Sequence, residues 1–193
     1  MAGKRKSPGR GKATKSKEAP DGNELLVMEL REIHSAEHQL SRVVPKLAKS
    51  AQSEKLRNLL EERLSQGEQL IGDVEMALEE LDASPRGAKN PAAEGLIKDV
   101  REHVQELDAG PALDAKLIAS LQKTEHYCIA AWGTAKALAR AVGQKGAVKA
   151  MERAVKEGSR LDERLTTLAE REVNPAVIAQ ASERMAPRGE RRA

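Results

Sequence analysis

The sequence predicts an all-α protein built around four long helices, and three observations carry the prediction. Aromatic residues make up 1% of the 193 residues; Tyr127 and Trp132 stand alone and there is no Phe. Sheet cores lean on aromatic and β-branched side chains, so an all-β fold is disfavoured. Ala, Leu, Glu, Lys, Arg and Gln, which form helices readily, dominate the composition. Four long segments repeat apolar residues at alternating spacings of three and four, the period of a packed helix face. The length suits one domain with tails.

Residues 1–22 form the first unit. They carry seven basic side chains (Lys4, Arg5, Lys6, Arg10, Lys12, Lys15 and Lys17) against Glu18 and Asp21, a formal +5 within a total of +3, which leaves −2 on the remainder. With six Gly and Pro residues and almost no apolar ones, this stretch cannot offset its ordering entropy and is expected to be disordered. Two roles compete for it: a solubilising extension, or a nonspecific DNA anchor that works by phosphate contacts and counterion release. No aromatic residue lies among the charges to stack on bases. No apolar stretch follows them, so no secretory signal is expected and the expected address is cytoplasmic. No run of 18 apolar residues is present to span a membrane.

The first long helix is predicted over 23–49, with its seam at Leu26, Leu30, Ile33, Glu37, Leu40, Val44 and Leu47. Asn23 or Asp21 would cap it, and Pro45 should bend it. The second runs over 54–81, capped by Ser53, with Leu56, Leu60, Arg63, Gly67, Leu70, Val74, Ala77 and Leu81 on its seam. The short 49–53 link makes these two an antiparallel hairpin. A breaker-rich loop, DASPRGAKNP, then leads into a shorter helix over 92–107. The third long helix is predicted over 114–142, opened by Pro111 and closed by Gly143, with Leu117, Leu121, Thr124, Cys128, Ala131, Ala135, Leu138 and Val142 in line. The fourth, over 145–171, aligns Val148, Met151, Val155, Gly158, Asp162 and Leu165. Asn174-Pro175 should end it, leaving a last short helix over 176–185 across one end of the bundle and a basic tail over 186–193. The domain reading is therefore 1–22 tail, 23–185 bundle, 186–193 tail. Two hairpins joined by a long connection have the connectivity of a ferritin-like four-helix bundle.

Each seam is apolar except at mid-height, where Glu37, Arg63, Gly67, Cys128, Gly158 and Asp162 fall. A charge in a packed seam costs several kcal/mol unless it is paired or bound, and the middle layer is where a four-helix bundle holds a metal or cofactor. The bland alternative is a register slipped by one residue, which would leave these groups in solvent. The opposite charges in matching layers favour the interior.

At these residues the chain resembles the YciE/YciF-like family of bacterial ferritin-like stress proteins. The stretches that carry the resemblance are ELLVMELREIHSAEHQLSRVVPKLAKSA (24–51), LIASLQKTEHYCIAAWGTAKALA (117–139) and LDERLTTLAEREVNPA (161–176). The Ala36-Glu37, Gln39-Leu40 piece, the Glu125-His126-Tyr127 piece and the Val173-Asn174, Ala176 ending are specific only together. The resemblance implies a ferritin-like fold and a di-iron centre held by a His-x-x-Glu on the second long helix, a Glu directly after Glu-His-Tyr on the third, and a Glu-Glu pair ahead of an Asp on the fourth. This chain departs from that pattern. It has Arg63 for the His, Gln66 for the Glu that follows, Cys128 after Tyr127, and Glu157-Gly158 for the pair. Of the implied ligands, Glu37, Glu157 and Asp162 remain.

Arg63 sets a permanent cation where a dication would sit. The favoured reading is an internal ion pair in which Arg63 bridges Glu37 and Asp162, with Gly158 and Gly67 making room for its side chain. His34 and His38 stand four apart, a spacing that can bind a metal, but with no acidic partner in view they read as solvated. Cys128 reads as a small buried hydrophobe rather than a nucleophile, and a single cysteine builds neither a disulfide nor a cysteine metal cluster.

Three functions compete. The first is a non-enzymatic, stress-associated bundle, expected as a homodimer, with no cofactor. The second is an iron-binding or other divalent-metal oxidoreductase using Glu37, Glu125, Glu157 and Asp162. The third is a protein that associates with DNA through its basic tail. Arg63, Cys128 and Gly158 favour the first over the second.

Overall fold

The computed structural model describes residues 19–185, and every regular element among them is helical. α1 spans Gly22–Ser50, α2 Glu54–Glu79, α3 Pro91–Glu106, α4 Pro111–Ala141, α5 Lys145–Leu168 and α6 Asn174–Met185, with a π-helical turn over Ala169–Val173 between the last two. The basic side chains from Lys4 to Lys17 and the segment 186–193 lie outside the described residues.

The bundle starts earlier than the sequence suggests. Asp21 accepts the Glu24 amide at 2.9 Å, and the Glu24 carboxylate accepts the Asp21 amide at 3.1 Å. This reciprocal box satisfies two backbone donors that a helix start otherwise leaves unpaired. Gly22 is already helical, and a Cβ there would stand 2.8 Å from Val142 Cγ1. Asp21 and Gly22 thus belong to the bundle and not to the tail. α1 continues through Pro45 to Ser50.

α1 packs on α2 and α4, and α5 packs on α4 and α2. Two observations orient them. Asp114 in the first turn of α4 is buried and accepts the backbone amides of Gln52 and Ser53, each at 2.8 Å, so α4 begins beside the α1–α2 turn. The first turn of α5 meets the end of α2, where a Cβ on Gly146 would lie 3.3 Å from Glu80 Oε2. α2 and α4 therefore run the same way, and the chain must cross the length of the bundle between them. α3 makes that crossing against α1 and α4, which completes the ferritin-like arrangement of two antiparallel hairpins.

Asn90 secures the entry to α3. It is buried, caps the helix through the Ala93 amide at 3.0 Å, and donates to the Glu32 carbonyl at 3.0 Å. The Tyr127 hydroxyl donates to Asn90 Oδ1 at 2.9 Å. Leucine layers close the core on both sides of mid-height: Leu26, Leu30, Leu56, Leu60, Leu117, Leu161 and Leu165 are at most 2% exposed. Each such side chain contributes about 1.5–3 kcal/mol of burial.

Asn174-Pro175 does not interrupt the helical backbone as the sequence suggests. The Asn174 amide donates to the carbonyl of Ala169, five residues back. The wider π turn takes up the missing donor and the ring of Pro175, and α6 follows α5 with no break in the helical backbone.

Candidate functional site

The polar layer at mid-height is built from four helices. Leu60 and Gly67 flank Arg63 on the inner face of α2, and Arg63 is 3% exposed. Its guanidinium donates from Nη1 to Glu37 Oε2 at 2.9 Å and from Nη2 to Glu37 Oε1 at 3.0 Å, a bidentate pair with α1. Its Nε donates to Glu125 Oε1 on α4. Glu37 and Glu125 are 1% and 0% exposed. Trp132 lies with its ring centroid 5.6 Å from the Arg63 Cζ atom, within cation–π range. The Cys128 sulfur is 3.9 Å from Arg63 Nη2.

The two glycines open space for this cluster, each for different neighbours. A Cβ on Gly67 would lie 2.8 Å from both Arg63 Nη1 and Glu37 Oε2, so Gly67 makes room for the bidentate pair. A Cβ on Gly158 would lie 2.7 Å from Trp132 Cζ3 and 3.1 Å from Glu125 Oε2. Gly158 therefore accommodates the indole and Glu125, not Arg63 as the sequence reading has it.

The electrostatics are uneven. Burial, the largest influence on Glu125, pushes its carboxyl above the usual carboxylate range, although the Arg63 charge pulls the other way. Its Oε2 has no hydrogen-bond partner. Both facts point the same way: an unpaired buried oxygen is where a proton costs least. Burial, and then Glu37, hold the Cys128 thiol well above its ordinary range, so it stays protonated and is no nucleophile.

Asp162 departs from its expected place. It stands near the flank of the α4–α5 contact, accepts the Gln122 amide at 3.0 Å, and lies 3.4 Å from His126 Nε2. Arg63 instead pairs with Glu125, because α4 turns that residue fully inward while the Asp162 side chain remains partly exposed. Glu157 is also apart from the centre, half-buried and 4.0 Å from Arg153. The proposed reduced ligand set of Glu37, Glu125, Glu157 and Asp162 is thus not one cluster: only Glu37 and Glu125 converge, and Arg63 lies between them. Glu125 is the partner that the seam underplays. It does fall four residues after Leu121 and three before Cys128, on the shoulder of the apolar stripe, where inward positions also occur.

Comparison with known proteins bears on this geometry. Residues 21–178 match the family described as DUF892, a domain of unknown function. The Protein YciF of Escherichia coli (strain K12) is 34% identical over 152 residues, covering 78% of this chain and 92% of that protein. The crystal structure of the E. coli stress protein YciF aligns with a TM-score of 0.76 at 32% identity, over 81% of this chain and 99% of that one. YcfI of Rhodopseudomonas palustris, for which a structural role has been suggested, aligns with a TM-score of 0.73 at 30% identity, over 79% and 97% of the two chains.

Proposed function

The chain belongs to the DUF892 family, and we propose that it is a non-enzymatic, stress-associated structural bundle whose central ion triad stands where the family resemblance places a di-iron centre. One observation carries the reading: the Arg63 guanidinium lies between the buried carboxylates Glu37 and Glu125 and bonds to both. A di-iron centre of this fold draws on about four carboxylates and two imidazoles facing inward. The donor set here is two carboxylates, one fixed cation and a protonated thiol, which does not fit that centre.

The neighbouring substitutions suit the same reading. A side chain at 158 would collide with Trp132, so the indole fills the space that an acidic ligand there would need. Gly67 does the same for the Arg63–Glu37 pair. The triad's role is then conformational: desolvated and mutually bonded, it fixes the register of α1, α2 and α4. The E. coli relative is a stress protein and the R. palustris one carries the suggestion of a structural role. Both accord with a bundle kept for its shape.

Loading the purified chain anaerobically with Fe(II) and then admitting oxygen tests the reading. The expected result is well under one iron per chain at the bundle centre and no fast oxidation phase. Two irons per chain at the centre, oxidised rapidly, would overturn it.

A further inference from the structure

His34 and His38 have an acidic partner that the sequence does not reveal. They stand one turn apart on the flank of α1, with ring centroids 4.4 Å apart. Glu75 reaches them from α2, its Oε1 3.0 Å from His34 Nε2. One ligand atom from each of the three residues falls within 4.8 Å of the other two. Among the described residues no other trio of His, Cys, Asp or Glu meets that condition. Glu37 lies between the two histidines in sequence but points into the bundle, so this cluster is separate from the central triad.

We propose that His34, His38 and Glu75 form a binding site for a borderline first-row dication, with Zn²⁺ as the representative ion, on the outer flank of the α1–α2 hairpin. Two imidazoles four residues apart on one helix face and one carboxylate are a ligand set that zinc takes, leaving a fourth position for water. Imidazole donors select the later divalent metals over Mg²⁺ or Ca²⁺. The histidines are half-buried and Glu75 is half-exposed, so the donors are partly held by packing and an ion can still enter. Arg42, one turn further along α1, is the cation that opposes binding. A metal here would tie α1 to α2 through coordinate bonds, and it would stabilise the folded chain by an amount that grows with the logarithm of free metal above its dissociation constant.

Isothermal titration of the full-length, tag-free chain with ZnCl2 in a non-chelating buffer tests the site. The expected result is one Zn²⁺ per chain, with affinity reduced at least about tenfold in His38→Gln and again in Glu75→Gln, as loss of a ligand from a three-residue set implies. Zn²⁺ should raise the melting temperature of the parent and not that of the two variants. Both replaced side chains sit at the surface or half-buried, and far-ultraviolet circular dichroism verifies that the variants remain helical. Absence of a one-to-one event in the parent, or variants that bind and melt as the parent does, would overturn the proposal.

Discussion

Replacing Arg63 with Ala removes the one buried cation among the described residues from a layer that holds two carboxylates at 1% exposure or less. Three hydrogen bonds to charged acceptors go with it, as does the contact with the Trp132 ring. Breaking a buried charge set by removing one partner costs about 3–5 kcal/mol, because the charge left behind is desolvated and unpaired. For a chain of this size each kcal/mol corresponds to about 2–4 °C, so the melting temperature should fall by roughly 6–20 °C. Urea unfolding followed by circular dichroism measures the loss directly. The deficit should also depend on pH. Burial already raises the Glu125 carboxyl in the folded chain, and removing Arg63, which pulls it down, raises it further. A folded-state pKa above the unfolded one gives stability that is present at low pH and lost as pH rises through the folded value. The deficit should therefore be smaller at about pH 5 than at about pH 8. Arg63→Met combined with Glu37→Leu and Glu125→Met should recover most of the loss, since apolar replacement of a whole buried charge set is often neutral or better. An Arg63→Ala chain as stable as the parent at both pH values would refute the reasoning.

Three other outcomes follow from the same geometry. Glu125→Gln keeps an acceptor for Arg63 Nε but cannot ionise, so its stability relative to the parent should rise with pH, as parallel urea titrations would show; a relative stability that falls with pH would contradict the raised Glu125 carboxyl. Gly158→Ala places a methyl group 2.7 Å from the Trp132 ring and should cost about 1–3 kcal/mol by overpacking, with the indole fluorescence shifted; a neutral substitution would show that the ring has room to move. Residues 1–22 carry +5 and the rest of the chain −2, so the full chain should bind duplex DNA weakly at low salt. A chain trimmed to begin at Ala19 should not bind, and fluorescence anisotropy that finds equal affinity for the two would count against a role for the tail.

The architecture was readable because helix periodicity repeats over many turns. Leu26, Leu30, Ile33, Leu40 and Val44 alone define a face, and one misplaced residue does not hide it. The Asn174-Pro175 pair misled because a proline's cost depends on what the preceding turn does. Here that turn widens to a π geometry and the helix continues. At the centre, Glu37 and Arg63 stand squarely on apolar seams, from which their burial follows. Asp162 also stands on a seam, yet its oxygens turn toward Gln122 and His126, because a seam position fixes a direction only to within the width of the stripe. The choice between Asp162 and Glu125 as Arg63's partner rests on the rotation of α4 and α5 about their own axes, which one-dimensional spacing does not encode. Glu75 was hidden for a related reason: it is 41 residues from His34, and only the register of the α1–α2 hairpin brings them together.

The central claim is that a guanidinium occupies the place of a metal. Crystals of the His38→Gln chain, in which the flank site is disabled, can be soaked with Fe(II) under anaerobic conditions and measured at the iron absorption edge. The account predicts no anomalous peak between Glu37 and Glu125, and continuous density for Arg63 bonded to both. An anomalous peak coordinated by Glu37 and Glu125, with Arg63 swung out of the layer, would contradict it.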